Sequence, residues 1–163
     1  MNPTRITMAI LGVTALFFVS SVGAAHDGEC DFPRLVGIWT FRVTPQPNPD
    51  VAVVPPPFNA LFEFGSGGTI TETDTAFHPT SSVGLFPDMG PLSASDGLGA
   101  WEATRGNRYS SQFIKNLFDA SGTFIGYLIT RIDVTLLDAN RLEATTTSAF
   151  VLGDDLNAEP FFS

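Results

Sequence analysis

The chain has 163 residues, with two histidines, one cysteine and a formal charge of -9 at pH 7. Seventeen acidic residues against eight basic ones exclude nucleic-acid binding through phosphate neutralisation and adhesion to anionic membrane surfaces. One cysteine excludes an internal disulfide, so a domain of this length must stand on a single hydrophobic core.

Met1 to Arg5 carries one positive charge, Ile6 to Val19 is an almost unbroken apolar run, and Ser20 to Ala25 offers small residues. That order predicts a cleavable secretory signal peptide over residues 1–25. A retained membrane anchor is the competing reading, but the run falls short of the roughly 20 residues a transmembrane helix needs. His26, Asp27 and Glu29 then follow at once. Residues 26–163 are expected to form one domain, exported to the periplasm or the medium, with no membrane anchor in the mature form. Cys30 lies in Gly-Glu-Cys rather than in a lipoprotein-type context and is expected to be incidental.

Beyond residue 25 no sustained apolar spacing of three and four residues predicts a helix. The composition is rich in Thr, Val, Ile, Phe and Gly, which suits strands. Strands are expected at 36–43, 58–64, 69–77, 100–104, 109–118, 123–137 and 142–152. Pro45, Pro47, Pro49, Pro55 to Pro57, Pro79, Pro87 and Pro91 mark two long loops, about 44–57 and 78–96, because proline lacks the donor a sheet interior requires. Regular strands with tight turns predict an all-β fold: an antiparallel up-and-down barrel of about eight strands, with a β-sandwich as the alternative.

Turn chemistry sets the expected register of the last three strands. Asp119-Ala-Ser-Gly122 predicts a type I turn closed by Gly122 in the left-handed region, pairing Asp119 with Thr123 and Phe118 with Phe124. Carried along the strands, this pairs Ile114 with Leu128 and Gln112 with Thr130. At Asp138-Ala-Asn140 a three-residue loop with Asn140 left-handed pairs Leu136 with Leu142, Val134 with Ala144 and Leu128 with Phe150. A one-residue slip would reverse every side chain. The inward face is then expected to hold Ile114, Phe118, Phe124, Leu128, Ile132, Val134 and Phe150. It would also hold a neutral polar row of Gln112, Thr130 and Ser148, with Asn116 nearby. Lys115, Arg131, Asp133 and Glu143 are expected outside.

Gly37-Ile38-Trp39 on the first strand, repeated as Gly99-Ala100-Trp101, resembles the Gly-x-Trp signature of lipocalins and the wider calycin group. A Phe-rich strand and a Phe-Asp-x-x-Gly hairpin extend the likeness to small secreted bacterial lipocalin-like proteins over most of residues 26–163. The resemblance implies an eight-stranded cup, closed at one end by the Trp, that binds small apolar molecules. The chain departs from that pattern in lacking a Thr-Asp-x-Arg turn and a helix after the last strand, which leaves an allene-oxide-cyclase-like barrel open as well.

The expected ligand-binding residues are Trp39, Phe41, Phe62, Phe64, Trp101, Gln112, Asn116, Leu128, Thr130, Ser148 and Phe150, with Phe58 near the mouth. The partner would be a small hydrophobic molecule buried against aromatic walls, with a few polar groups fixing one end. No catalytic residue, metal site or cofactor is expected. His26 and His78 have no neighbouring ligand set, no Gly-x-Ser-x-Gly elbow is present, and the lone Cys lacks a base. Glu72 and Asp74 alternate with Ile70 and could form a carboxylate pair, but a solvated outer face is the expected role. Asp154-Asp155 is expected to be a turn. Two further readings stay open: a cyclase or isomerase, which needs an ionisable group inside the barrel, and a filled-core structural or interaction protein.

Overall fold

Alternating apolar and polar residues lay down one antiparallel sheet. The computed structural model describes residues 15–16, 35–46, 56–76 and 90–153. Its strands are β1 (Ala15–Leu16), β2 (Gly37–Val43), β3 (Phe58–Phe64), β4 (Thr69–Asp74), β5 (Ser93–Ala94), β6 (Gly97–Arg105), β7 (Arg108–Phe118), β8 (Phe124–Asp138) and β9 (Arg141–Leu152). Among the described residues there is no helix. The sheet order is β1-β9-β8-β7-β6-β4-β3-β2, and β5 also pairs with β7. From β2 to β9 the sheet is thus an up-and-down meander, strongly curled into a half-barrel. Ala15 pairs with Ala144 and Leu16 with Glu143 of β9, and Cα atoms of β1 also come within 8 Å of β2. The two ends of the meander therefore approach each other through residues 15–16, which fall within the expected export signal.

One face of the curl carries the core. Trp39, Phe41 and Val43 of β2 lie beside Ala60, Phe62 and Phe64 of β3. Ile132, Val134 and Leu136 of β8 continue it toward Leu142 and Ala144 of β9. Rings interlock across the strands: Phe41 and Phe62 have centroids 4.4 Å apart, Phe62 and Phe113 5.9 Å, Phe64 and Trp101 6.0 Å. Tilted or edge-on pairs of this kind add about 0.5–1.5 kcal/mol each beyond area burial. Both Gly-x-Trp tryptophans are tied to the main chain. Trp39 Nε1 donates to the Leu35 carbonyl at 2.8 Å, and Trp101 Nε1 to the Gly65 carbonyl at 3.0 Å. The Trp101 amide also donates to Gly68 at 2.8 Å, so this residue clamps the β3–β4 turn onto β6.

The expected turns form, with two corrections. The Gly122 amide donates to the Asp119 carbonyl at 3.0 Å, Gly122 has φ of +79°, and Phe118 pairs with Phe124. One residue later the register slips: Leu117 pairs with Gly126, leaving Ile125 as a bulge. From there Lys115, not Ile114, faces Leu128, and Phe113, not Gln112, faces Thr130. The inward set on β7 is therefore Tyr109, Ser111, Phe113, Lys115 and Leu117. Gln112 and Asn116 are exposed on the opposite face, Ile114 and Phe118 are half-buried there, and Phe124 is exposed. In the β8–β9 hairpin, Leu136–Leu142, Val134–Ala144 and Leu128–Phe150 pair as expected. The shift comes from an irregularity at Leu137 within the pairing, not from Asn140, whose φ is not positive.

Candidate functional site

Cross-strand pairing sorts the concave face into rows. One row reads Trp39, Phe62, Glu72 and Gly97, and continues through Lys115, Leu128 and Phe150. The next row, toward the β3–β4 turn, reads Phe64, Ile70, Gly99, Phe113, Thr130 and Ser148. Trp101 lies one row further, and Phe41, paired with Ala60, lies on the other side. Nine of the expected binding residues thus share one surface, and Gln112 and Asn116 do not. Phe58 packs at its margin. Thr130 and Ser148 keep their expected adjacency and are hydrogen-bonded to each other at 2.9 Å. Ser111 replaces Gln112 in the polar set and donates to the Ile132 carbonyl at 3.4 Å.

At the centre of the first row sits a cluster that the expected solvated role for Glu72 and Asp74 had placed outside. Glu72 and Asp74 follow Ile70 on β4 at two-residue spacing, so all three point into the curl. Lys115 enters from β7 because of the Ile125 bulge. Its Nζ lies 2.6 Å from Glu72 Oε2 and 2.5 Å from Asp74 Oδ2. Side-chain exposures of 3, 2 and 7 % for Lys115, Glu72 and Asp74 keep water from screening these contacts.

β6 runs between the two partners, and the ion pair must cross it. Backbones two strands apart are roughly 9–10 Å from each other, so the side chains meet over the intervening residue. That residue is Gly97. A Cβ there would stand 2.5 Å from Phe113 Cδ2 and 3.0 Å from Glu72 Oε2, so glycine leaves the gap through which Lys115 reaches β4.

The electrostatics separate the two carboxyls. Burial pushes Glu72 up to about 8; the Lys115 charge opposes this, while Asp74 adds to it through its charge and a hydrogen bond. Asp74 moves the other way. Burial alone would raise it, but the Lys115 ammonium, the hydrogen bond from Glu72 and the Ala76 amide outweigh that and hold it below the usual carboxylate range. The Ala76 amide donates to Asp74 Oδ1 at 2.8 Å. Of the two carboxyls, Glu72 therefore holds a proton more readily, and Asp74 carries the charge that faces the Lys115 ammonium. Buried carboxyls whose environments push them apart in this way divide acid and base roles. Glu72 Oε2 is in Coulomb contact with Lys115 but accepts no well-directed hydrogen bond.

A groove of about 210 Å³ is lined by Thr40, Asn59, Leu61, Thr73 and Thr75, at exposed positions of β2 and β3 and at and after the end of β4, together with Ala60 and Asp74. Arg131, Asp133 and Glu143 are exposed, as expected. His26, Cys30, His78, Asp154 and Asp155 lie outside the described residues.

Fold and site together define an antiparallel β half-barrel, compatible with a calycin-like arrangement, with an ionisable cluster set into its aromatic concave face. Comparison of the chain with protein-family models, curated proteins and solved structures finds no match.

Proposed function

We propose that this is an exported, lipocalin-like protein that takes a small, largely apolar molecule against its concave face. Residues 1–25 serve as the cleaved export signal. The observation that carries the reading is the convergence on one surface of the aromatic wall and a buried polar centre. Phe41, Phe62, Phe64 and Trp101 are each less than a tenth exposed, and Lys115, Glu72 and Asp74 stand among them. An apolar wall with a few placed polar groups is the usual make-up of a small-molecule site. Transfer of ligand surface from water supplies the affinity, at about 25 cal/mol per Å² of apolar area. In this reading the orienting groups are Lys115 and its carboxyls, with Thr130 and Ser148 beside them, in place of Gln112 and Asn116.

Native mass spectrometry of the protein purified from its own host, with the organic extract analysed in parallel, tests this. A reproducible apolar adduct is expected. A bare mass, together with no uptake of a hydrophobic fluorescent probe, would sink the carrier reading in favour of a core filled by its own side chains. Closed ring contacts such as the 4.4 Å Phe41–Phe62 pair favour that second reading.

A further inference from the structure

We propose that Glu72 is the acid–base group of a site that moves a proton on the carbon next to a ligand's carbonyl, with the Lys115 ammonium holding the oxygen that becomes negative. The inference rests on the binding reading above and names the ligand class for that same site.

Three observations carry it. First, acid and cation are adjacent: Glu72 Oε2 lies 2.6 Å from Lys115 Nζ, so a group bound at one is within reach of the other. Second, that Glu72 oxygen is buried and, among the described residues, meets the Lys115 ammonium without a well-directed hydrogen bond, which leaves it acceptor capacity. Third, Asp74 lies 2.5 Å from the same Nζ and neutralises it, so the cluster offers a strong donor without a net positive charge. A carboxylate or phosphate ligand would gain little there and lose its hydration. A neutral carbonyl oxygen accepts from Lys115, and the neighbouring Phe62 and Phe113 take an apolar body. The class is therefore neutral apolar ketones, aldehydes or enones.

In the step itself, the C–H bond next to the carbonyl breaks and its proton forms an O–H bond on ionised Glu72. The C–H electron pair becomes the C=C of an enolate, and the carbonyl π pair moves onto the oxygen facing Lys115. Glu72 then returns a proton to the same carbon or, in an unsaturated ligand, two carbons further on. No cofactor or oxidant is consumed. The raised affinity of Glu72 for its proton suits this role, since a base works best when it titrates near the working pH.

The test is hydrogen–deuterium exchange, followed by proton NMR, for cyclohexanone, 2-decanone and a decalone incubated with the whole protein in D₂O. Binding is read separately by saturation transfer. Positioned acid–base groups contribute about 10²–10⁴-fold, so the wild type should exchange the protons beside the carbonyl at least about a hundredfold faster than buffer. The rate should rise with pH toward about 8 as Glu72 ionises. Glu72→Gln copies the shape of the protonated acid and should therefore fold; it should bind the ketones and lose the exchange. Lys115→Arg should keep the fold and slow exchange by mispositioning the charge. Bound ketone with exchange at the buffer rate, or full exchange in Glu72→Gln, would overturn the inference and leave the binding reading standing. If none of the three ketones binds while other apolar probes do, the ligand class is wrong. If nothing apolar binds, both fall together.

Discussion

Glu72 shows how one buried proton couples folding to pH. Its folded-state value near 8 lies above its ordinary value of 4.5 because burial disfavours the charged form. Over that interval the folded state holds a proton that the unfolded chain releases, so stability from this group is full below about pH 4.5 and is lost as pH rises through about 8. Asp74 acts with the opposite sign: its lowered value stabilises the fold above the usual carboxylate range, and the benefit disappears on acidification. Thermal unfolding from about pH 5 to pH 9 should show Tm falling with pH in the wild type and a flatter profile in Glu72→Gln. A slope that this substitution leaves unchanged would assign it to other groups. Lys115 offers a second measurement. Lys115→Met leaves buried negative charge uncompensated and should cost about 3–5 kcal/mol in urea unfolding. Replacing the whole cluster, with Glu72→Leu and Asp74→Leu added, should recover that loss and exceed the wild type by up to about 1–4 kcal/mol. If the triple variant is no more stable than Lys115→Met, the cluster contributes packing rather than charge balance.

At the scale of strands, most of the order was readable and one parity was not. Alternation located the seven long strands, because a half-buried antiparallel strand must alternate. The turn at Asp119–Gly122 was legible from its residues: Asp119 Oδ1 accepts from the Ser121 and Thr123 amides at 2.8 and 2.9 Å. The β7 register failed at Ile125, since a bulge adds one residue and reverses the strand beyond it. Gly126, in a strand interior, was the available signal. The same slip hid Lys115, and without a buried cation the sensible place for Glu72 and Asp74 was outside. Their spacing from Ile70 pointed inward, but acidity argued the other way, and only the tertiary partner decides between the two. The bulge can be tested directly. Deleting Ile125 would close the bulge while keeping Leu117 opposite Gly126 and Lys115 opposite Leu128, so only the hairpin end at Phe118 and Phe124 changes face relative to the rest of the ladder. The variant should keep its near-UV circular dichroism and its cooperative unfolding. Loss of both would show that the bulge itself is needed to hold the register that brings Lys115 inward.

For the molecule as a whole, the core is continuous from Leu35 to Ala144 along one concave surface, while Phe118, Phe124 and Tyr127 form a smaller ring cluster outside it. The chain contains two tryptophans, and both are in that core, 3 and 7 % exposed. Each indole donates to a main-chain carbonyl, and Trp101 has Tyr109 edge-on at 5.8 Å. Tryptophan emission from the folded protein therefore originates entirely inside the curl. It should be blue-shifted, poorly quenched by iodide, and sensitised by the neighbouring tyrosine. A guest entering the cup must pass or displace the side chains against these indoles, so the molecule carries its own optical reporter of occupancy, with no label attached.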